Sequence, residues 1–163
     1  MKLIVLALCI VAAVAGPVWL SAEEAGLIRG SWQHIKGREV DLLYVIFKEN
    51  PDIQAKFPAF VGKNLDELKG TAPFAEHAGR IIALVEKYVG YLGDDGNDAH
   101  IRDMLNEMGK KHAVRGVTRE QFQAFRKSAL TYIKGHVEWS EPLGAAWKLA
   151  FDKMYEVVFS NLP

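Results

Sequence analysis

Between Ala22 and Val158 the apolar residues of this chain recur at intervals of three and four, and no stretch shows a sustained one-by-one alternation. That period puts side chains on one face of a helix, whereas a half-buried strand needs a period of two. The constraint acts along nearly the whole sequence. "LSAEE" supplies Ser21 as a helix cap with Glu24 three residues on, and Leu27, Ile28, Trp32 and Ile35 follow as a stripe ending near Gly37. Val40, Leu43, Tyr44 and Phe47 form a second stripe, which must stop before Pro51 because a residue preceding proline avoids the helical region. A short piece, "PDIQAKFPAF", and a polar connection, "VGKNLDELKGT", lead to a long helix from about Pro73 to Leu92 carrying Phe74, His77, Ile81, Leu84, Val85 and Tyr88. "GDDGNDAH" breaks the pattern, and Ile101, Met104, Leu105, Met108 and His112 resume it. "TREQ" is a second capping box, opening a helix with Phe122, Phe125, Ala129, Tyr132 and Ile133. The last helix begins at Ser140 and Pro142 and carries Trp147, Phe151, Met154, Tyr155 and Val158. The expectation is an all-α fold of seven or eight helices with short connections.

The first residues stand apart. After Lys2 come thirteen apolar residues, Leu3 to Ala15, closing on Ala13-Val14-Ala15-Gly16. Thirteen helical residues reach only about 20 Å, short of a hydrocarbon core of about 30 Å. A charged start, a short apolar run and small residues in an A-x-A pattern read instead as a secretory signal peptide cut after Ala15. The domain is then residues 16–163. Without the first 15 of the 163 residues, 148 remain, with 19 basic side chains against 20 acidic and no cysteine, since Cys9 is lost with Lys2. Thiolate zinc sites and covalent C-x-x-C-H haem attachment are thereby excluded from the mature chain. The even charge gives no basic footprint for nucleic acid, and the mature form is expected to make no use of a membrane. Oligomeric state is left open, a homo-oligomer included.

Two histidines lie on apolar faces. His112 continues the line Ile101, Met104/Leu105, Met108, with Lys110 and Lys111 turned elsewhere, and His77 sits between Phe74 and Ile81. One such imidazole is usually a hydrogen-bonded core residue. Two, on neighbouring helices, also suit a cofactor held between them, with a neutral imidazole as metal ligand. Periodicity alone supports both readings. His34, His100 and His136 read as structural or solvated, and Asp94-Asp95 as solvated carboxylates. G-x-S-x-G, H-E-x-x-H, a P-loop and G-x-G-x-x-G are all absent.

Further stretches carry a family resemblance. "NPDIQAKFPAF" resembles the globin segment in which a proline opens a short helix and a phenylalanine six residues later packs on the haem face; those positions are Pro51 and Phe57, with Phe60 as a second aromatic. "GTAPFAEHAGRI" resembles the distal helix, with His77 as distal histidine, and "KKHAVRGVT" resembles the end of the proximal helix, with His112 as iron ligand. Trp32 matches the usual first-helix tryptophan. The resemblance spans essentially all of residues 16–163 and is nearest to the secreted larval haemoglobins of midges.

That resemblance implies a globin fold around a flat apolar slot for protohaem (haem b), held without covalent attachment. It implies a lining of Leu43, Phe57, Phe60, His77, Arg80, Ile81, Met108, His112, Val117, Phe122 and Phe125, with Arg80 and Arg115 as partners for the haem carboxylates. It implies that His112 binds iron through Nε2 while Nδ1–H donates to a nearby carbonyl. Two features depart from the family's common pattern. The interval from His77 to His112, 35 residues, is long, with the extra residues expected in segment 93–100, and Arg80 stands where a cation could share the distal role with His77.

The function implied is reversible binding of dioxygen (and of carbon monoxide and nitric oxide) for transport or storage in an extracellular fluid, haemolymph if the insect resemblance holds. It is a carrier's function rather than an enzyme's. The enzyme-class rival is haem-dependent nitric oxide or peroxide chemistry with an external electron donor. The other rival, a secreted helical carrier of small apolar molecules, sits poorly with a chain that has no disulfide.

Overall fold

The computed structural model describes residues 19–163. The expected signal peptide, residues 1–15, lies outside them. The described residues form eight α-helices and one 3-10 turn, with no strand among them: α1 (Ala22–Trp32), α2 (Glu39–Glu49), α3 (Pro51–Gln54), α4 (Leu65–Lys69), α5 (Ala72–Tyr91), the 3-10 turn (Asp95–Asn97), α6 (Asp98–Val114), α7 (Arg119–Lys134) and α8 (Glu141–Phe159).

The helix starts follow from local chemistry. Ser21 and Glu24 close a capping box on α1, and Thr118 and Gln121 close another on α7. Asn64 and Ser140 cap α4 and α8 through their side chains, and Pro51 begins α3 at the position where a missing N–H costs nothing. At the other ends, Gly37 and Gly116 take φ of 81° and 65°, left-handed values that only glycine adopts without strain.

α8 runs through the middle of the packing and touches both α1 and α6, while α2 packs on α5 and α7. Trp147, Phe151, Met154, Tyr155 and Val158 of α8 are all buried, as are Ile28 and Trp32 of α1. Several buried polar groups in this core have partners, although Trp32 Nε1 and Tyr132 Oη have none. The Trp147 indole donates to Ser31 Oγ at 3.0 Å, Tyr88 Oη donates to the Ala150 carbonyl at 2.7 Å, and Tyr155 Oη to the Phe122 carbonyl at 2.6 Å.

The structure departs from the sequence reading in two connections. The expected polar loop after Phe60 contains α4, held because Leu68 is buried and because Tyr44 Oη donates to Asp66 at 2.6 Å while Lys69 pairs with Asp41 at 2.7 Å. "GDDGNDAH" is not an open break either. Asp94 accepts from the Gly96 N–H, the 3-10 turn follows, and α6 is already running at Asp98, so His100 belongs to its first turn and lies 5.8 Å from the Tyr91 ring in a stacked arrangement. Asp98 also accepts from the Trp19 indole at 2.9 Å, which ties this segment to the start of the described chain.

Candidate functional site

α5 and α6 run beside a cleft of about 470 Å³, and His112 lines its inner part. Leu84 and Tyr91 of α5 and Met104 and Met108 of α6 give the cleft apolar walls, while Lys87, His100, Asp103, Glu107 and Lys111 give it a polar rim. That volume and that division between apolar wall and polar rim suit a site for a cofactor or small ligand.

His112 is held in one orientation. Its Nδ1 lies 2.8 Å from the Met108 carbonyl, and a carbonyl can only accept, so Nδ1 carries the proton and Nε2 is left as the basic nitrogen. The Phe122 ring backs it at 5.3 Å between centroids, and Phe122 is in turn fixed against Tyr155 at 5.6 Å and Phe159 at 5.9 Å. α6 ends just beyond: the His112 carbonyl accepts from the N–H groups of Arg115 at 3.0 Å and Val117 at 3.1 Å, closing the helix tightly around Gly116. Burial pushes the His112 imidazole below its ordinary value of 6.5 and the Arg115 charge adds to this, while the Met108 hydrogen bond works the other way. The outcome is a neutral imidazole at neutral pH, the form that ligates metals.

His77 projects from α5 into a group of aromatic rings. Its ring meets Phe57 edge-on at 4.5 Å and Phe60 at 6.0 Å. Phe47 lies 5.1 Å from Phe57 and 5.9 Å from Phe74, so a residue from each of α2 and α5 extends the cluster. Burial is again the main cause of a lowered pKa, followed by the charge of Arg80, that of His112 when it is protonated, and that of Arg115. The segment after α3 thus places Phe57 and Phe60 on the same side as His77, and α6 supplies His112.

The remaining residues singled out from sequence fall into place unevenly. Leu43 and Phe122 are buried, and Ile81, Met108, Val117 and Phe125 are half-buried against the core. Arg80 is exposed and its guanidinium reaches Glu76 at 2.7 Å, not His77. Arg115 is exposed too and donates back to the Lys111 carbonyl. The cations that line the cleft are Lys87 and Lys111, which sequence reasoning did not select, because an exposed lysine beside a site looks like any other exposed lysine. Leu84 and Met104 were visible as members of helical stripes, with nothing to mark them as cleft walls.

Among the described residues no three His, Cys, Asp or Glu side chains gather where they could hold a metal ion. A metal at His112 would need its other ligands from elsewhere, as an iron porphyrin provides them. The residues present fit such a group: a neutral, oriented imidazole on a cleft with apolar walls and lysines for carboxylates. His77 and its aromatic rings do not line that cleft themselves, but they form a second apolar cluster that feels the His112 charge.

Comparison with known proteins identifies the family of the fold. The family model for globins matches residues 40–158. The protein "Globin CTT-II beta" of Chironomus thummi thummi is 49% identical over 162 residues, covering 99% of this chain and all of the relative. "Globin CTT-VI" of the same midge is 44% identical over 99% of both. Among solved structures, haemoglobin component TA-VII of Tokunagayusurika akamusi superposes with a TM-score of 0.85 at 38% identity, covering 90% of this chain and 99% of that one. A globin of Drosophila melanogaster gives 0.79 at 27% identity over 86% and 94%.

Proposed function

This chain belongs to the globin family, and from that premise we propose that it is an extracellular haemoglobin, binding dioxygen reversibly at a non-covalently held haem b for transport or storage. The observation that carries the reading is the His112–Met108 hydrogen bond, which fixes the ring and its tautomer and presents Nε2 as a lone basic nitrogen. His112 would hold the haem from the proximal side, with Phe57 and Phe60 against its flat face and Met108, Ile81, Val117, Phe122 and Phe125 completing an apolar surround. Lys87 and Lys111 at the rim, together with Arg115 beside them, would face the haem carboxylates. Since Cys9 is the only cysteine and lies in the expected leader, residues 16–163 have no thiol for a thioether link.

When bound, haem supplies an iron centre that coordinates diatomic gases. The chain's part is to keep that centre oriented and dry. The aromatic cluster of Phe47, Phe57, Phe60 and Phe74 excludes water, and His77, neutral because it is buried, offers an N–H toward the pocket as a hydrogen-bond donor. A donor of that kind retains a ligand with polar character and discriminates less for carbon monoxide. The protein acts as a carrier, in keeping with relatives named as globins and a haemoglobin.

Export is the second part of the reading, resting on Lys2, the apolar run Leu3–Ala15 and the small residues that end it. The test is one preparation from natural material. Its reduced and carbon monoxide spectra should show a strong Soret band, and its intact mass should begin at Gly16 or within a few residues. A colourless protein overturns the haem reading; retention of residues 1–15 overturns export.

A further inference from the structure

Gly109 is a buried residue in the interior of α6, three positions before His112. Glycine weakens a helix interior relative to alanine, so its presence here needs a packing reason. α6 lies directly on the end of α8: a Cβ at position 109 would stand 2.8 Å from the Val158 carbonyl oxygen and 3.0 Å from Asn161 Cβ. The nearer of these is backbone and cannot swing aside. It is also engaged, accepting from the Asn161 N–H at 3.1 Å. One turn earlier on the same helix, Asn106 Oδ1 accepts from Asn161 Nδ2 at 2.9 Å, and Asn161 Nδ2 also reaches the Val157 carbonyl at 3.0 Å. α6 is therefore seated against α8 at a closest approach only glycine allows, in the turn that precedes His112.

That turn is tied to the imidazole. Met108, the neighbour of Gly109, provides the carbonyl that fixes His112 Nδ1. α6 has α8 on one side and the cleft toward α5 on the other, so moving α6 off α8 drives it toward the cleft and carries His112 with it. We infer that Gly109 is a positioning residue, setting the depth at which His112 Nε2 stands in the pocket and hence the geometry of its bond to haem iron. The inference rests on the reading of His112 as iron ligand.

The experiment uses the reduced, ligand-free holoprotein and reads the iron–imidazole stretching band by resonance Raman. Gly109→Ala should shift that band and change the oxygen dissociation rate severalfold. Asn106→Ala removes a bond between the same helices without adding volume at position 109; it should lower the melting temperature and leave the band in place. In a His112→Gly background supplied with free imidazole the axial ligand is no longer tethered to α6, and adding Gly109→Ala should then leave the imidazole band unmoved. Should Gly109→Ala fail to fold, Gly109→Ala/Asn161→Gly, which removes the 3.0 Å contact, takes its place. A wild-type band in whichever variant binds haem overturns the positioning role, as does failure of both to fold, which would make the contact purely structural. Absence of any iron–imidazole band in the unsubstituted protein would instead overturn the assignment of His112 as ligand.

Discussion

Arg80 Nη2 lies 2.7 Å from Glu76 Oε1, one turn apart on the outer face of α5, while His77 between them turns inward to Phe57. His77 and Arg80 are thus separated by direction, although the Arg80 charge is near enough to depress the His77 pKa. The Arg80 and Glu76 side chains are 68% and 67% exposed, and a pair so exposed contributes less than about 1 kcal/mol. Glu76 therefore holds Arg80 only weakly, and of the two it is His77 that turns toward the aromatic cluster, in keeping with the distal role proposed for it.

Substitution of that residue should have the larger effect. A hydrogen bond with charge-assisted character contributes about 1.5–3 kcal/mol, roughly ten- to a hundredfold in an equilibrium constant. His77→Val should raise the oxygen dissociation rate by about that factor, with little change for carbon monoxide. Arg80→Leu should change it far less. Flash photolysis and rapid mixing of both variants check this, and a larger effect from Arg80→Leu would mean the guanidinium leaves Glu76 for the pocket when ligand binds.

Loss of the proximal residue should be more severe and chemically reversible. His112→Gly vacates a ring-sized space backed by Phe122 at 5.3 Å, so free imidazole should enter it and partly restore haem binding. Because haem binds the folded chain preferentially, apoprotein should melt well below holoprotein, and His112→Gly should close most of that gap. Titration with imidazole, followed at the Soret band, is the measurement; a native reduced spectrum without imidazole would remove His112 from the proximal position.

The turn between α5 and α6 should prove a stabilising element. Gly93 has φ of 82°, and a Cβ there would lie 2.7 Å from Ala25 Cβ. Strain of that kind and overpacking each cost about 1–3 kcal/mol. Gly93→Ala and Asp98→Ala, the latter freeing the Trp19 indole, should both lower the melting temperature while leaving the haem spectrum nearly unchanged. Segment 93–100, which breaks the helical pattern in sequence, is a turn tied at both ends. A haem spectrum altered in step with stability would place the segment in the pocket wall.

What sequence could show was set by period and by side-chain type. Helical stripes placed His77 and His112 on apolar faces, and both are partly buried there because neighbours three and four positions away are core residues. The α4 helix was illegible because its "LDELK" has one buried side chain, Leu68, and gains its hold from partners on α2, Tyr44 and Asp41, distant in sequence. Segment 93–100 misled because aspartates and glycines commonly signal a solvated break, whereas here Asp94 and Asp98 act as cap and tether. Arg80 and Lys111 illustrate the same limit: which exposed cation faces a cleft depends on helix rotation relative to another helix, and no local pattern records that.

Acid should weaken the haem-free chain through the two buried imidazoles. Burial lowers the pKa of both His77 and His112 from 6.5, and for His77 the charges of Arg80, His112 and Arg115 add to the effect. A histidine depressed in the folded state takes up its proton more readily once unfolded. Between the two pKa values the unfolded chain binds more protons, and stability rises with pH across that window. Above 6.5 both states are neutral and the imidazoles add no pH dependence; below it, stability falls until the lower folded values are passed. His77→Val removes one of the two sites, so its loss of stability as pH falls below 6.5 should be shallower than that of the unsubstituted chain. Thermal melts of both haem-free proteins across that range decide it. Parallel curves would mean that His77 is as well solvated in the folded chain as in the unfolded one, and its place among Phe57 and Phe60 would have to be given up.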